Sequence, residues 1–478
     1  MLINECLIRN KNLKKKAVIC GNDSITYEEL HNRSIVIANE LSTYTGDKVA
    51  MLLSNSIEYF VAFFGILYSG KTVVPIPASS KSIQINSIIK DCGIELLITH
   101  RNQAYCLPDV EVSSIIYVED FANKNDICSY ADLKSIDDDS RVAVILSTSS
   151  TSSNPKRVIL THKNIMSLIS ILTPIVSYNE TSVSLIALPL TSVIMNSHFI
   201  HLIYLGATFV IMKEFFSTNG FFDLVEKERV TCFTCAPPMA LLLARSNSAV
   251  SYDISSLRSV VIGGASISDK VLEDISNKYP DIYFSVGYGL TEACATIAFN
   301  TFSKESPHRN SVGKPIPGLI VRIESESREP LEPGNIGEIV VSGETIMSGY
   351  MNNPAETSRT IVNGFLRTGD MGMLDDEGYL YVVGRKKSMI NSGGLSIFPE
   401  EIEDILLSCP AVADAVVYGY PDDFLEEVVA ADIVLQEHST KQDVLEFCNA
   451  KLPKQKVPRI LNIVDNIDKT DTMKSKRR

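Results

Sequence analysis

The sequence predicts an α/β protein, in which a large N-terminal domain of helix-covered sheets ends in a β-rich part and is followed by a small α+β C-terminal domain. Three observations predict it. Short β-branched runs alternate with helix-length segments up to a strand predicted at residues 281–286. From about residue 312, Pro and Gly punctuate short β segments such as 338–342. After residues 384–387, short helices and strands alternate through the rest of the chain.

The first helix is predicted by a capping box. Thr26 and Glu29 have the spacing in which each side chain accepts a hydrogen bond from the other residue's backbone, and Leu30, Ile37 and Leu41 follow on one helical face. The strands are predicted at residues 48–54, 72–77, 95–100, 114–119, 141–148, 182–190, 208–213, 230–236, 259–263, 281–286, 319–324 and 338–342.

Composition excludes several classes of function. The 478 residues carry a net charge of −13, whereas binding to nucleic acid or to an anionic membrane surface requires a basic face. The longest apolar run, residues 60–68, is far shorter than the roughly 20 residues that cross a bilayer. Residues 1–20 have no signal-peptide pattern, and ten cysteines without framework spacing indicate reduced thiols. We therefore expect a cytoplasmic protein without a membrane span or a nucleic-acid partner.

A hydroxyl-rich stretch follows the strand predicted at residues 141–148. Hydroxyl and amide groups that end in a lysine are suited to phosphate oxygens. The stretch is not a Walker loop, because the Gly-Lys-Ser/Thr ending is missing. The alternative is a solvated serine-rich loop. The candidate phosphate-binding residues are Thr148, Ser149, Ser150, Thr151, Ser152, Ser153 and Lys156.

A second cluster follows the strand predicted at residues 281–286. Residues 287–292 read Gly-Tyr-Gly-Leu-Thr-Glu, and the glycines permit close approach of the backbone to a ligand. Tyr288 offers a stacking face, while Thr291 and Glu292 supply a hydroxyl and a carboxylate. A carboxylate beside phosphates usually binds Mg²⁺. The alternative is a tight turn with an exposed glutamate.

Three further clusters lie in the last part of the chain. Asp370 follows a Thr-Gly turn, where a carboxylate can accept the hydroxyls of a ribose. A glycine turn at residues 392–394 leads into a predicted helix, and Lys474 ends the stretch Lys-Thr-Asp-Thr-Met-Lys at residues 469–474. Each cluster is weak evidence by itself, but the order and spacing of all five are very specific.

Together the clusters resemble the adenylate-forming superfamily of AMP-binding enzymes, which comprises acyl- and aryl-CoA synthetases, carrier-loading adenylation domains and luciferases. The resemblance spans nearly the whole chain, including connecting stretches at residues 160–164, 313–315 and 334–338. It implies an ATP-dependent carboxylic acid ligase that forms an acyl-adenylate and releases pyrophosphate. The acyl group then passes to a thiol, either of coenzyme A or of a carrier protein's phosphopantetheine. ATP and Mg²⁺ are the implied cofactors.

The resemblance also implies roles for single residues. Lys474 is implied to bridge the substrate carboxylate and the α-phosphate, Thr291 to contact the α-phosphate, and Glu292 to bind Mg²⁺. These three are the predicted catalytic residues. Beside Thr291 and the hydroxyl-rich loop, the residues implied to bind ATP or AMP are Gly264, Ala265, Ser266, Tyr288, Gly289, Asp370 and Arg385.

A rotating C-terminal domain is a further implication of the resemblance. Lys387 is the implied hinge between an N-terminal domain at residues 1–386, with a β-rich part at about 312–383, and a mobile lid at residues 387–478. Rotation presents Lys474 for adenylation and then the implied thiol channel for thioester formation. The thiol-channel residues are Ser392, Gly393 and Gly394.

The chain departs from the family pattern in two places. Ser150, Ser153 and Arg157 stand where the phosphate loop of the family carries glycines, and Met473 stands where a glycine usually precedes the lysine. Side chains restrict positive φ angles. We therefore expect altered dynamics of the phosphate loop and a looser placement of the terminal lysine.

The substrate is expected to be an acid without an α-amino group. Amino-acid-adenylating members carry an aspartate in the stretch that corresponds to residues 191–198, and this stretch contains no acidic residue. A buried ammonium group without an anion is costly. A fatty, aryl or small aliphatic acid is therefore favoured. The candidate substrate-binding residues are Ser192, His198, Gly264 and Gly287, and the alternative for His198 is a core residue.

The leading prediction is an acid–thiol ligase of the acyl-CoA synthetase type. One alternative is a stand-alone adenylation enzyme that loads a carrier protein in natural-product biosynthesis. Another is a degenerate homologue that binds a nucleotide without turnover. The sequence leaves the identity of the acid and of the acceptor open.

Overall fold

The structure, a computed structural model, describes residues 1–121, 138–148, 155–213, 216–422, 424–470 and 475. Helices and strands alternate along most of this length. The α-helices are α1 (Ile3–Asn10), α2 (Tyr27–Leu41), α3 (Ile57–Tyr68), α4 (Ser82–Cys92), α5 (His162–Leu172), α6 (Val193–Leu205), α7 (Thr218–Glu228), α8 (Pro237–Arg245), α9 (Asp269–Lys278), α10 (Pro354–Thr360), α11 (Pro399–Ser408) and α12 (Lys441–Lys451).

The first sheet contains strands from the N-terminus and from the middle of the chain, in the order β15-β14-β13-β12-β11-β9-β10-β1-β2. They are β1 (Lys16–Cys20), β2 (Asp23–Thr26), β9 (Val183–Ile186), β10 (Thr208–Ile211), β11 (Cys232–Cys235), β12 (Ser259–Gly263), β13 (Tyr283–Tyr288), β14 (Ala298–Thr301) and β15 (Lys314–Pro315). Six neighbouring strands of this sheet run parallel, namely β13, β12, β11, β9, β10 and β1. Their carboxyl ends therefore lie at one edge of the sheet.

The second sheet has the order β18-β8-β7-β4-β3-β5-β6. Its strands are β3 (Lys48–Leu52), β4 (Thr72–Ile76), β5 (Leu96–Thr99), β6 (Ser114–Tyr117), β7 (Val142–Ser147), β8 (Arg157–Thr161) and β18 (Gly349–Tyr350). The strands β7 and β8 are antiparallel and flank the hydroxyl-rich loop. This sheet therefore carries the predicted phosphate-binding stretch at the end of a hairpin.

Two smaller sheets follow. One joins β16 (Ile320–Glu324), β17 (Gly337–Ser342), β19 (Ile361–Val362), β20 (Phe365–Leu374) and β21 (Leu380–Arg385). The other joins β22 (Ile390–Ser392), β23 (Leu395–Ile397), β24 (Val412–Asp422), β25 (Glu426–Leu435) and β26 (Ile460–Ile463). The first matches the predicted β-rich part, and the second, with α11 and α12, matches the predicted α+β segment.

The main hydrophobic core lies between the two large sheets, where α3 and α6 pack. The ring of Phe60 on α3 lies 5.4 Å from the ring of Phe199 on α6 and 5.2 Å from that of Phe209 on β10. All three side chains are fully buried. The apolar run at residues 60–68 is therefore a core helix, and within the described residues no helix is long and apolar enough to cross a bilayer.

The small C-terminal sheet has a hydrophobic core of its own. Its buried apolar side chains extend from Ile390 to Leu461 and form a cluster separate from the main core. The large part of the chain contacts it through Arg245, which donates hydrogen bonds to the carbonyl oxygens of Val412 (3.1 Å) and Ala413 (3.3 Å). A separate core supports the predicted boundary between residues 386 and 387, which stays a proposal.

The capping box predicted for α2 is confirmed. Thr26 Oγ1 accepts a hydrogen bond from the Glu29 backbone at 3.2 Å, and Glu29 Oε2 accepts one from the Thr26 backbone at 2.8 Å. Each predicted strand corresponds to an observed one, with ends that differ by a few residues. The sequence analysis did not predict α1, the hairpin of β1 and β2, or β8.

Candidate functional site

The candidate site begins at the carboxyl ends of β12 and β13. Gly263 and Gly287 are paired neighbours at these ends. A Cβ atom at residue 287 would have its nearest neighbour, an atom of Phe299, at 3.9 Å, so a methyl group fits there in ordinary van der Waals contact. In α/β sheets, ligands bind outside the carboxyl ends of parallel strands. Gly264, at φ 90°, then turns the chain away, and Ala265 and Ser266 are exposed beside the opening.

The backbone after β13 is tightly folded. A Cβ atom at Gly289 would lie 1.6 Å from the carbonyl oxygen of Ala295, so only glycine fits there. Cys294 and Ala295 both have positive φ angles, which cost free energy for residues with side chains. This turn presents Thr291 and Glu292 in a short 3-10 helix, half-buried beside the strand ends.

Asp370 joins two other predicted nucleotide-binding residues. Its Oδ2 accepts a hydrogen bond from Tyr288 Oη at 2.7 Å, and its Oδ1 lies 2.6 Å from Arg385 Nε. Burial and the nearby carboxylate hold the pKa of Tyr288 well above its ordinary value, so Tyr288 remains a hydrogen-bond donor. The Asp370 side chain is buried, whereas Arg385 is exposed. The fold thus brings Asp370, Tyr288 and Arg385 together, and their predicted role in nucleotide binding stays a prediction.

Glu292 is held by a residue that the sequence analysis missed. Its Oε1 accepts a hydrogen bond from Tyr350 Oη at 2.8 Å. Lys156 lies over the Tyr350 ring, 4.6 Å from its centroid, and forms an ion pair with Glu356 on α10. Burial and the Glu292 carboxylate raise the pKa of Tyr350. The predicted phosphate-binding lysine and the predicted metal ligand are therefore linked through one aromatic ring.

The base of the hydroxyl-rich loop is closed by hydrogen bonds between Thr148 and Lys156. The Thr148 backbone donates to the Lys156 carbonyl at 2.9 Å, and the Lys156 backbone donates to Thr148 Oγ1 at 3.1 Å. Ser149, Ser150, Thr151, Ser152 and Ser153 lie outside the described residues. Their predicted contacts with phosphate remain predictions.

Arg157, which replaces a glycine of the family pattern, has a defined place beneath this loop. Its guanidinium group is buried and donates to Ser147 Oγ (2.9 Å) and Ser87 Oγ (3.2 Å). It also forms an ion pair with Asp91 on α4, with 3.3 Å between Nη2 and Oδ2. Neighbouring residues of a strand point to opposite faces, so Lys156 and Arg157 hold the loop's exit from two sides.

The donor set suits a nucleotide and a magnesium ion. The Oε2 atom of Glu292 makes no hydrogen bond or ion pair with a described residue, so it is available to a cation. Carboxylate oxygen is the ligand type that Mg²⁺ prefers. Asp370 supplies a carboxylate, the acidic group type that accepts the hydroxyls of a ribose.

Two predicted substrate-binding residues lie on α6. Ser192 is the N-cap of this helix: it donates to the Pro189 carbonyl at 2.8 Å, and its hydroxyl accepts from the Met195 backbone. His198 lies further along the same helix and is half-buried. Its Nε2 lies 2.9 Å from Ser184 Oγ. Burial lowers the pKa of His198 to about 3, so its ring is neutral at physiological pH.

Within the described residues, the thiol-channel candidates and Lys387 make no hydrogen bond or ion pair with this site. Ser392, Gly393 and Gly394 form the turn between β22 and β23, and both glycines have positive φ angles. Lys387 is exposed in the 3-10 helix at Lys386–Ser388, which links the two smaller sheets. Its role as a hinge stays a prediction.

Lys474 lies outside the described residues, but the base of its loop is described. Lys469 and Ser475 form an isolated antiparallel bridge. Lys469 Nζ also lies 2.6 Å from Asp414 Oδ2 at the start of β24. The role predicted for Lys474 is untested by this geometry.

Sequence reasoning missed Tyr350, Glu356 and the partners of Arg157. Tyr350 follows Gly349 in the β-rich part, and Gly349 has a φ angle of 142°. A glycine in the sequence indicates a constrained backbone, but it does not indicate a role for the residue that follows it. Asp91 and Ser87 lie on the polar side of α4, where acidic and hydroxyl side chains are usually solvated. Nothing in the sequence pattern pairs them with Arg157.

Two family models match the chain. The model of the AMP-binding enzyme matches residues 8–351, and that of the AMP-binding enzyme C-terminal domain matches residues 401–474. Oxalate–CoA ligase of Arabidopsis thaliana is 28% identical over 96% of this chain and 93% of its own length. 4-Coumarate–CoA ligase-like 6 of the same plant is 30% identical over 95% of this chain and 85% of its own. 2-Succinylbenzoate–CoA ligase of Bacillus cereus is 29% identical over 97% of this chain and 94% of its own length.

Solved structures give the same result. The o-succinylbenzoate CoA synthetase of Bacillus subtilis in complex with its acyl-adenylate intermediate is 27% identical, with a TM-score of 0.88 over 99% of this chain and 96% of that one. The same synthetase with ATP and magnesium ion has a TM-score of 0.88, with 98% of its chain covered. These matches extend over both parts of the fold, and the chain therefore belongs to the AMP-binding enzyme family and is an AMP-forming acid–thiol ligase.

Proposed function

We propose that this ligase joins a carboxylic acid without an α-amino group to the thiol of coenzyme A, through an acyl-adenylate. The observation that carries the proposal is the arrangement of Tyr288, Asp370 and Arg385 at the carboxyl ends of the parallel strands. A buried carboxylate is costly unless it is paired. Here Tyr288 and Arg385 hold it in place, and a carboxylate is the group type that accepts the hydroxyls of a ribose.

The chemical task is to bring two anions together. A carboxylate repels the α-phosphate that it attacks, so the rate depends on positioning and on neutralisation of charge. When bound, ATP supplies the adenylyl group and Mg²⁺ offsets phosphate charge. Among the chain's residues, Glu292 offers a carboxylate oxygen to the cation, and Thr291 offers a hydroxyl beside it. Lys474, by its resemblance to the family lysine, supplies the positive charge between the two anions.

Lys156 is proposed to act at the phosphate end of the site. It is half-buried between Tyr350 and Glu356 and lies at the exit of the hydroxyl-rich loop. A bound triphosphate carries more negative charge than Glu356, so the lysine is expected to turn toward it. The loop hydroxyls from Ser149 to Ser153 add neutral donors, since their family counterparts surround phosphate.

The environment of α6 supports the absence of an α-amino group. Ser192 is occupied by helix capping, and His198 is neutral. No acidic residue occurs at residues 191–198, so a substrate ammonium group would lack an anion there. Relatives that are named for oxalate, 4-coumarate and 2-succinylbenzoate are all ligases of acids without such a group.

Coenzyme A is the proposed acceptor because the relatives are named as CoA ligases. The turn of Ser392, Gly393 and Gly394 is the proposed lining of the thiol channel. Both of its glycines have positive φ angles. Without side chains, the two glycines let a thin pantetheine arm pass close to the backbone.

The proposal is tested by measuring pyrophosphate release with a panel of acids, with and without coenzyme A. We expect ATP-dependent release with at least one acid, and formation of a thioester and AMP only when coenzyme A is present. Asp370→Asn should reduce the release, whereas the exposed neighbour Asp376→Asn should leave it unchanged. If the folded wild-type protein released no pyrophosphate with any acid and bound no ATP, the proposal would be wrong.

A further inference from the structure

Arg245 is the last residue of α8, and its side chain reaches from the large part of the chain to the lid. Its Nη2 donates a hydrogen bond to the Val412 carbonyl at 3.1 Å, and its Nη1 donates one to the Ala413 carbonyl at 3.3 Å. The N–H donors of a guanidinium group have a fixed geometry, so two simultaneous bonds define an orientation as well as a distance. The two bonds therefore specify how the lid meets α8.

The end of α8 that carries Arg245 is fixed to the neighbouring helix α9. The Leu243 carbonyl accepts a hydrogen bond from Tyr279 Oη at 3.2 Å, and the Ala244 carbonyl accepts one from Lys278 Nζ at 2.9 Å. The last carbonyl groups of a helix have no partner within the helix, and here the end of α9 supplies it. Arg245 thus projects from an anchored helix end.

On the lid, Arg245 binds at an irregularity in a strand. β24 pairs with β25, and the register shifts by one residue between Val412 and Asp414, so Ala413 is the extra residue of a β-bulge. The extra residue of a bulge has no partner in the ladder. The Ala413 carbonyl is therefore available to a donor from outside the sheet, and Arg245 is that donor.

The residue after the bulge connects this contact to the segment that carries Lys474. Asp414 Oδ2 lies 2.6 Å from Lys469 Nζ. Lys469 also forms the bridge with Ser475, and its Nζ donates to Ser475 Oγ at 3.2 Å. The residues that bound the Lys474 segment are therefore tied to the strand start that Arg245 binds.

A like-charge contact opposes the same orientation of the lid. Burial, Glu403 and then Asp269, at the start of α9, raise the pKa of Asp404 on α11 to about 7. A nearby negative charge that disfavours ionisation of a carboxyl group also disfavours the approach of the two groups. An attractive contact elsewhere in the interface therefore favours this orientation, and Arg245 on the adjacent helix supplies one.

The orientation of the lid resembles that of a related synthetase with ATP. The lid, residues 387–478, is about a fifth of the chain, so a lid in another orientation would leave that share unmatched. The synthetase solved with ATP and magnesium ion matches 99% of this chain with a TM-score of 0.88. Because ATP reacts in the adenylation step, the observed orientation fits that step.

We propose that Arg245 is a positioning residue for adenylation, which holds the lid in this orientation through the carbonyl groups of Val412 and Ala413 and so sets where the Lys474 segment begins. The inference rests on the proposed function, because it assumes adenylation followed by thioester formation after the lid has rotated. It adds a residue of the large part that favours one step over the other. Arg245 is exposed, so water can replace its two bonds when the lid turns.

The test measures the two half-reactions separately in Arg245→Met, which keeps a long side chain and removes its donors. Pyrophosphate release with a substrate acid should fall about 10-fold, the effect of losing one hydrogen bond to a charged group. Thioester formation from supplied acyl-adenylate and coenzyme A should stay at the wild-type rate or rise, because loss of the contact shifts the lid toward its other orientation. Arg245→Lys keeps a charged donor without the forked geometry, so its pyrophosphate release should lie between the two.

The matched control is Arg258→Met. Arg258 is an exposed arginine of the large part, and its side chain makes no hydrogen bond or ion pair with a described residue. Both half-reactions should keep their wild-type rates in this variant. A second variant, Asp414→Asn, acts on the lid side: it removes the charge that pairs with Lys469 and should lower pyrophosphate release in the same selective way.

The outcomes separate this inference from the proposed function. Equal loss of both half-reactions in Arg245→Met and Asp414→Asn, or wild-type rates for both half-reactions, would overturn the inference alone, since a merely structural role affects the two steps alike. If the wild-type protein released pyrophosphate with no acid, the proposed function would fail and the inference with it. A loss confined to pyrophosphate release supports the inference.

Discussion

Arg157 and Asp91 form an ion pair, 3.3 Å between Nη2 and Oδ2, that joins the exit of the hydroxyl-rich loop to α4. The family pattern has a glycine at residue 157, which needs no such partner. In this chain the long side chain is buried and also bonds Ser147 and Ser87. Arg157 therefore joins both strands that flank the loop to α4, β8 through its own backbone and β7 through Ser147.

Arg157→Gly restores the family residue but should weaken this protein. We expect a loss of about 2 kcal/mol in the free energy of unfolding, because Asp91 and two hydroxyls lose their partner and a void remains. The KM for ATP should rise as the loop base loosens. Urea denaturation and pyrophosphate release measure the two effects. Arg141→Ala, at the exposed start of the same hairpin, is the control, and an unchanged unfolding curve for Arg157→Gly would contradict the assigned role.

Asp370→Asn should impair nucleotide binding more than Tyr288→Phe does. The amide cannot hold Arg385 by charge and presents one acceptor oxygen where the carboxylate has two, so we expect the KM for ATP to rise about 10-fold or more. Tyr288→Phe removes only the donor to Asp370, and an increase of about 3-fold is expected. Isothermal titration with ATP distinguishes the two. Equal affinities for wild type and Asp370→Asn would exclude the ribose contact.

Two glycines two residues apart should respond to alanine in opposite ways. Gly289→Ala places a methyl group 1.6 Å from the Ala295 carbonyl, so this variant should unfold or lose all activity. Gly287→Ala meets only Phe299, at 3.9 Å, so its thermal midpoint should stay close to wild type. The added methyl group narrows the open edge, and turnover of bulky acids should fall more than that of small ones. A destabilised Gly287→Ala protein would show that the edge is packed.

Lys474→Ala should separate the two half-reactions. Pyrophosphate release should fall by orders of magnitude, since the charge between two anions is lost, while thioester formation from supplied acyl-adenylate should mostly persist. Equal loss of both would refute the assignment. Lys387→Pro serves as the complementary variant: it should spare adenylation and slow thioester formation, because a fixed φ restricts rotation at this residue. Survival of both steps in Lys387→Pro would argue against the hinge.

Buried histidines should make the fold sensitive to acid. Burial lowers the pKa of His201 to about 4, below the ordinary value, so the unfolded chain binds a proton before the folded one does as the pH falls. Stability is therefore full above about pH 6.5 and declines toward pH 4, by about 2 kcal/mol at pH 5 for this group. His201→Gln should flatten the pH dependence of the thermal midpoint in this range. The exposed His438→Gln is the control and should reproduce the wild-type curve.

The sequence by itself determined many of the strands, the helix α2 and the order of the chemical groups. The capping box of α2, the parallel strands and the glycine clusters at residues 287–289 and 392–394 are local patterns, and local propensities are readable along the chain. The resemblance carried by five spaced clusters was sufficient for the family and the reaction class.

Only the tertiary structure decided which distant polar groups meet. The hydrogen bond between Tyr350 and Glu292 and the anchoring of Arg157 by Asp91 join elements far apart in sequence. Such contacts depend on sheet register and on which helix face turns inward, and a one-residue shift in a strand reverses the face of every side chain. The physical reason is that pairing of buried polar groups is fixed by packing in three dimensions, which no local pattern encodes.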